Sequence, residues 1–264
     1  MAQALLPAAL AGYVLGIVLA AVGTIQRSDL AGRAASFAFT VTWLLHSSVL
    51  LHRGWTAQAL PLRSRFEFLL VLGWALLGLY LYLWFRFRVN VAALVLPPLS
   101  MLATAIALAG SGADHAEVIG SSTGGSWFLF HTTISTLGMA ILGVAFTMAL
   151  LYLFQDRALK SRKVPGLLQR LPALDQCDQL GLQALIVGFT MLTLGIITGI
   201  IVNAADNGEW ISGSAKQILP LVAWAVFAAV LLARTSMGIR GRRSAYLTIA
   251  GFLIGLASVL GMAL

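Results

Sequence analysis

Cysteine occurs once in the 264 residues, at Cys177. One thiol forms no intrachain disulfide, no CxxC redox pair and no CxxCH attachment site, which excludes thiol oxidoreductases and covalent c-type cytochromes. Charge is also scarce, at 10% of residues. No Asp or Glu lies deep in any of the long apolar runs, and ion pumps and proton-coupled transporters build their pathways from such carboxylates. With no buried nucleophile either, an ordinary hydrolase or transporter is the reading that the sequence favours least.

What fills the chain is hydrocarbon: 59% of residues are apolar and the mean hydropathy is +0.92. A bilayer core needs roughly 20 apolar residues per crossing. Eight such runs occur, at Leu5–Thr24, Ala34–Leu51, Glu67–Phe85, Val91–Gly110, Ser126–Phe154, Gln179–Val202, Ala215–Ala233 and Ser244–Ala263. Their length and uniform hydrophobicity mean helices rather than barrel strands. The expected fold is therefore all-α, a polytopic bundle of eight transmembrane helices in one integral-membrane domain over residues 1–264, with four helices in 1–110 and a second block in 126–264.

The net charge of +8 reports on lipid rather than nucleic acid, because the positive residues sort by loop. Thirteen of the 17 basic residues stand in the first, third, fifth and seventh connections, leaving Arg53, Arg63, Arg65 and Lys216 on the other side. The positive-inside rule then puts both termini outside the cytoplasm. The first run has no basic segment before it and reads as a retained helix rather than a cleaved signal. Its Gly12, Gly16 and Gly23 read as packing positions, and Cys177 falls in the basic fifth connection. Pro97 and Pro98 remove two backbone donors and predict a kink in the fourth helix.

Histidine is where the chemistry concentrates. The stretch WFLFHTTISTLGMAILG, from Trp127 to Gly143, places His131 in an otherwise uncharged spanning helix. Trp127, His131, Ser135 and Gly138 share one helix face, which either receives a flat ligand or lets helices approach. His46 lies in TWLLHSSVLL, about 9 Å below the outer end of the second helix, and His131 lies about 7.5 Å below the same surface. Two imidazoles at one depth either hold haem iron between helices or are two unrelated polar side chains. His52, beside Arg53 and Trp55, reads as an interface anchor, and His115 as a solvated loop residue.

The blocks SWFLFHTTISTLGMAILGVAF, LPALDQCDQLGLQALIVGFTMLTLGIITGI and LVAWAVFAAVLLARTSMGIRGRRSAYLTIAGF, with a tryptophan-containing loop between the last two, resemble the CcsA, CcmC and HemX superfamily of haem-handling cytochrome c assembly proteins. TWLLHSSVLL and the proline-containing fourth helix are similar to the HemX and YpjD branch. The resemblance implies a protein that binds b-type haem non-covalently and assists cytochrome c maturation, working with maturation proteins or other membrane-complex proteins. It makes His131 the family histidine that precedes the outer loop, with His46 as a second ligand and Trp127 beside the site. Trp210 would cover the porphyrin, and Lys216 or Arg53 would pair with propionates. The family loop ends in WDPK; here it reads GEWISGSAKQ, with Gly213, Ser214 and Ala215 in the Trp, Asp and Pro places. The family histidine near the end of the next helix is Leu232 here, and the one near the chain end is missing. The same resemblance therefore also implies a HemX-type regulatory protein that moves no haem, or an accessory subunit of a larger complex.

Overall fold

The structure is a computed structural model and describes residues 2–58, 60–62, 64–110, 125–161, 172–208, 210, 213, 215–238 and 240–263. Among the described residues there are eight α-helices: α1 Ala2–Ile25, α2 Asp29–Ala57, α3 Arg65–Phe87, α4 Leu96–Gly110, α5 Gly125–Ser161, α6 Leu174–Asn207, α7 Ala215–Ser236 and α8 Arg242–Ala263. No strand occurs among the described residues. Seven spans, from α1 through α7, are long and apolar enough to cross a membrane, while α8 opens on Arg242 and Arg243. The eight apolar runs thus correspond to eight helices, but several helices outgrow them. The 37 residues of α5 make a rod of about 55 Å at 1.5 Å per residue, well beyond the ~30 Å of a hydrocarbon core.

The chain divides into two compact units, Met1–Ala116 with Phe154–Ala173, and Glu117–Leu153 with Leu174–Leu264. In the first, α1 and α2 run antiparallel at close range. A methyl added to Gly16 would strike the ring of Phe39, and one on Gly23 would sit 2.9 Å from the backbone of Gly32. The Ser28 hydroxyl caps α2 by accepting from the Ala31 N–H at 3.2 Å, and Ser64 caps α3 by accepting from the Glu67 N–H at 3.2 Å. Each thereby satisfies an end donor that has no partner inside its own helix. Trp43 of α2 and Trp74 of α3 stack with centroids 5.4 Å apart. They are bonded crosswise: the Trp43 indole donates to the Trp74 carbonyl and the Trp74 indole donates to Ser47.

The fourth apolar run is not one kinked helix. A 3₁₀ turn, Asn90–Leu94, precedes α4. Pro97 and Pro98 lie in the first turn of α4, where the N–H groups they lack would have had no intrahelical acceptor. They begin the helix instead of bending it. Helix α1 also does more than pack, since it carries Tyr13 into the centre of the unit, as described below.

In the second unit, α5 and α6 form an antiparallel pair. Met148 faces Gly181, Leu142 faces Gly188, Ser135 faces Gly195 and His131 faces Gly199, so ascending positions on one helix meet descending positions on the other. The small residues at Gly138 and Ser135 are used for this approach of helices. Helices α7 and α8 pair through Phe227 and Gly251, and Phe146 of α5 stacks on Phe252 of α8 at 4.6 Å. Cys177 lies in the first turn of α6, not in a connection, and is buried.

Candidate functional site

His131 is half-buried in the second turn of α5 and turns its ring onto α6. Its Nδ1 stands 2.9 Å from the backbone carbonyl oxygen of Gly195, with the Thr198 hydroxyl at 3.3 Å and the Ser135 hydroxyl at 3.5 Å. A carbonyl only accepts, so Nδ1 carries the hydrogen and donates it. In the neutral imidazole, Nε2 then holds a bare lone pair. Gly199 forms the shallow seat for the ring, and Gly195, one helical turn away, supplies the carbonyl. A methyl on Gly199 would sit 2.8 Å from Cε1, 3.3 Å from Nδ1 and 3.5 Å from Nε2 of His131.

His46 occupies the middle of α2 in the first unit and is 0% exposed. Its Nδ1 lies 3.3 Å from the Tyr13 hydroxyl, and Tyr13 lies 2.6 Å from the Ser100 hydroxyl. Ser100 in turn donates to the Gly73 carbonyl. Its Nε2 is buried without a hydrogen-bond partner. Leaving a buried polar atom unpaired costs roughly 1–3 kcal/mol, so such an atom in a native fold calls for an explanation.

The remaining sequence-predicted residues are more dispersed. Trp127 is 55% exposed at the start of α5 and meets Phe130 edge-on at 6.3 Å. Trp210 is 66% exposed after α6. Arg53 is half-buried near the end of α2, where exposed His52 also stands. The Lys216 side chain and His115 lie outside the described residues. His131 and Trp127 belong to one unit and His46 and Arg53 to the other, and within its unit each histidine directs Nδ1 to an oxygen.

These residues suit haem on the chemistry of the donor set. A metal-ligating histidine ordinarily donates its second ring N–H to a carbonyl or another acceptor, which fixes the tautomer and leaves the other nitrogen to bind. Both histidines have that arrangement. Exposed tryptophan on α5 and after α6 offers broad apolar surface of the kind a porphyrin face stacks on.

Sequence reasoning missed Tyr13 and Ser100, which are set in apolar helices and carry no local pattern. It also missed Gly195, whose contribution is a backbone carbonyl and has no residue-type signature. A third omission lies elsewhere in the second unit. Arg234 in the last turn of α7 pairs with Asp178 of α6 at 2.5 Å and donates to Ser244 of α8 at 3.1 Å. The signal for it was an acidic residue in the first turns of α6 and a basic one at the end of α7. Trp224 donates to Thr193 at 2.9 Å and stacks on Phe189.

Comparison with known proteins gives this geometry a family. The family described as Cytochrome C assembly protein matches residues 34–264. The chain is 28% identical over 235 residues, 80% of its own length and 77% of the relative's, to the cytochrome c biogenesis protein CcsA of Parasynechococcus marenigrum (strain WH8102). It is 26% identical over 246 residues, 83% and 77% of the two chains, to the protein of the same name from Prochlorococcus marinus (strain MIT 9303). Over 139 residues, 53% of this chain and 51% of the relative, it is 29% identical to an uncharacterized 28.8 kDa protein of Azospirillum brasilense. An all-helical, multi-span membrane chain matched over residues 34–264 thus belongs to the cytochrome c assembly protein family, in the superfamily of CcsA and CcmC.

Proposed function

We propose that this protein binds b-type haem non-covalently near the outer face of a bacterial cytoplasmic membrane and presents it for cytochrome c assembly. The observation that carries the reading is the Nδ1 contact of His131 with the Gly195 carbonyl at 2.9 Å, which leaves Nε2 as a ligand atom in a half-buried position. In the first unit His46, with its unpaired Nε2, is the other candidate ligand. Haem, when bound, would supply an iron whose potential follows its ligands and the polarity around them. The rest is done by this chain. The seat on α6 holds the His131 ring, Trp127 and Trp210 of the same unit would shield the macrocycle from water, and Lys216 would offer a cation to its carboxylates, as Arg53 would in the first unit on the helix that carries His46.

The placement rests on eight spans with both termini outside, supported by the loop distribution of the basic residues. Reporter fusions in the connection between α5 and α6, residues 162–173, test it: a cytoplasmic signal is expected, and an extracytoplasmic one overturns the topology. The haem reading is tested by the absorption spectrum of protein purified from haem-replete cells. A six-coordinate low-spin spectrum is expected, and colourless protein sinks it.

A second reading is favoured by the loop after α6. Gly213 has φ 64, a left-handed backbone that suits glycine and not a tryptophan, at the place where the resemblance puts the family's Trp. Under this reading the chain is a HemX-type regulatory or partner-binding protein, or an accessory subunit, and colourless protein is its expected result.

A further inference from the structure

The polar chain in the first unit has a direction. The Gly73 carbonyl can only accept, so the single hydrogen of Ser100 is committed to it. Tyr13 must then donate to Ser100, across 2.6 Å. With its own hydrogen used, the Tyr13 oxygen is left to accept, and the group that faces it is His46 Nδ1 at 3.3 Å. One residue from each of α1, α2, α3 and α4 takes part. Tyr13, His46 and Ser100 are each fully buried, so no solvent competes for these bonds. Tyr13 also meets the imidazole edge-on, at 6.4 Å and 82°, which holds the ring plane.

We infer that Tyr13 and Ser100 are positioning residues that lock His46 in the Nδ1–H tautomer, so that its Nε2 is presented with a bare lone pair for a metal. Tyr13 touches no ligand and acts through His46. The inference rests on the proposed haem reading for its purpose, but the lock itself stands on the order of donors and acceptors. The nitrogen this leaves bare is the one without a partner, an acceptor lone pair that no donor faces. The Leu70 backbone carbonyl is a second acceptor at the ring and competes with the Tyr13 oxygen for the one imidazole hydrogen; in this inference the hydroxyl relay decides that competition for Nδ1. Tyr13 lies on the helix outside the family match, which starts at residue 34, so the lock is a property of this chain's own first helix.

The test uses the full-length, haem-free protein in lipid, labelled with ¹⁵N at histidine. The His46 signal is assigned by its loss in His46→Gln. Nitrogen chemical shifts distinguish protonated from bare ring nitrogens. The parent protein is expected to show His46 protonated at Nδ1. Tyr13→Phe removes the acceptor, and Ser100→Ala frees the Tyr13 hydrogen to point at His46. Both changes should convert most of the population to Nε2–H while the His131 signal stays as Nδ1–H, which reports that the fold is intact. Haem affinity should fall about 10-fold in each, the lower end of what loss of a ligand's outer partner produces. A parent protein with His46 as Nε2–H overturns the inference without any variant. Unchanged tautomers in both variants overturn it as well. If the protein binds no haem yet the tautomer shifts as described, the lock is upheld and the haem reading fails, so the two failures are separable.

Discussion

Substituting Gly199 with alanine separates the seating of His131 from the stability of the helix that seats it. The new methyl would stand 2.8 Å from His131 Cε1, whereas ordinary contacts begin at 3.4 Å, so the ring has to retreat by about 0.6 Å. Directed away from α6, that retreat stretches the 2.9 Å bond from Nδ1 to the Gly195 carbonyl to about 3.5 Å, the edge of hydrogen-bond geometry. Overpacking costs about 1–3 kcal/mol, but replacing glycine inside a helix returns about 1 kcal/mol, so the melting temperature should drop only a few degrees. Haem retention should fall much further, by about 10- to 100-fold, because the ligand loses the acceptor that orients it. The control is Gly195→Ala, one turn away. Its methyl meets the Ser135 hydroxyl at 2.8 Å, a short side chain that can rotate, and the carbonyl that His131 uses is unchanged. Haem per protein and the absorption spectrum are measured for both variants alongside melting of the haem-free form. If Gly199→Ala keeps the parent's haem content and spectrum while His131→Ala has neither, α6 does not position the ligand and the reasoning is wrong.

His131→Ala should abolish haem binding, whereas His52→Ala, at an exposed position, should leave the spectrum unchanged; haem titration of both decides it. Arg234→Ala leaves Asp178, one-fifth exposed, facing an empty site, and should destabilise the haem-free protein by about 3 kcal/mol, the low end for a broken buried pair; denaturant unfolding should also show the Arg234→Met, Asp178→Leu double variant recovering most of it. Trp224→Phe removes one hydrogen bond to Thr193 and should cost about 1 kcal/mol with haem content unaltered. Trp210→Ala should release haem faster while the ligation spectrum stays the same, and a changed spectrum would mean that Trp210 acts on the iron ligands rather than as a cover.

The existence of the helices was legible because about 20 apolar residues in a row leave a backbone in lipid few other solutions. Their ends were less so. Helix α2 starts at Asp29 on the Ser28 cap, upstream of its apolar run, because the cap and first turn are polar. Cys177 was misplaced for the same reason, since it sits among the polar residues LDQCDQ that open α6. Pro97 and Pro98 were read as interior because the Asn90–Leu94 turn ahead of them is as hydrophobic as the helix. Within the site, residue type singled out His131 and His46, while their partners escaped. Gly195 contributes a carbonyl, which every residue has, and Tyr13 and Ser100 meet only once helices distant in sequence are packed.

The two histidines differ in what could ever unmake their orientation. His131 is oriented by a main-chain atom. Substituting Gly195 alters what hangs from that position but leaves its carbonyl in place, so the contact persists under sequence drift as long as α6 stays helical. His46 is oriented by two hydroxyls, and one substitution, Tyr13→Phe or Ser100→Ala, removes either one. In mutational terms the first histidine is buffered and the second is exposed. Relatives that part ways in haem chemistry would therefore be expected to diverge at the side-chain-held histidine first, while the backbone-held one stays constant.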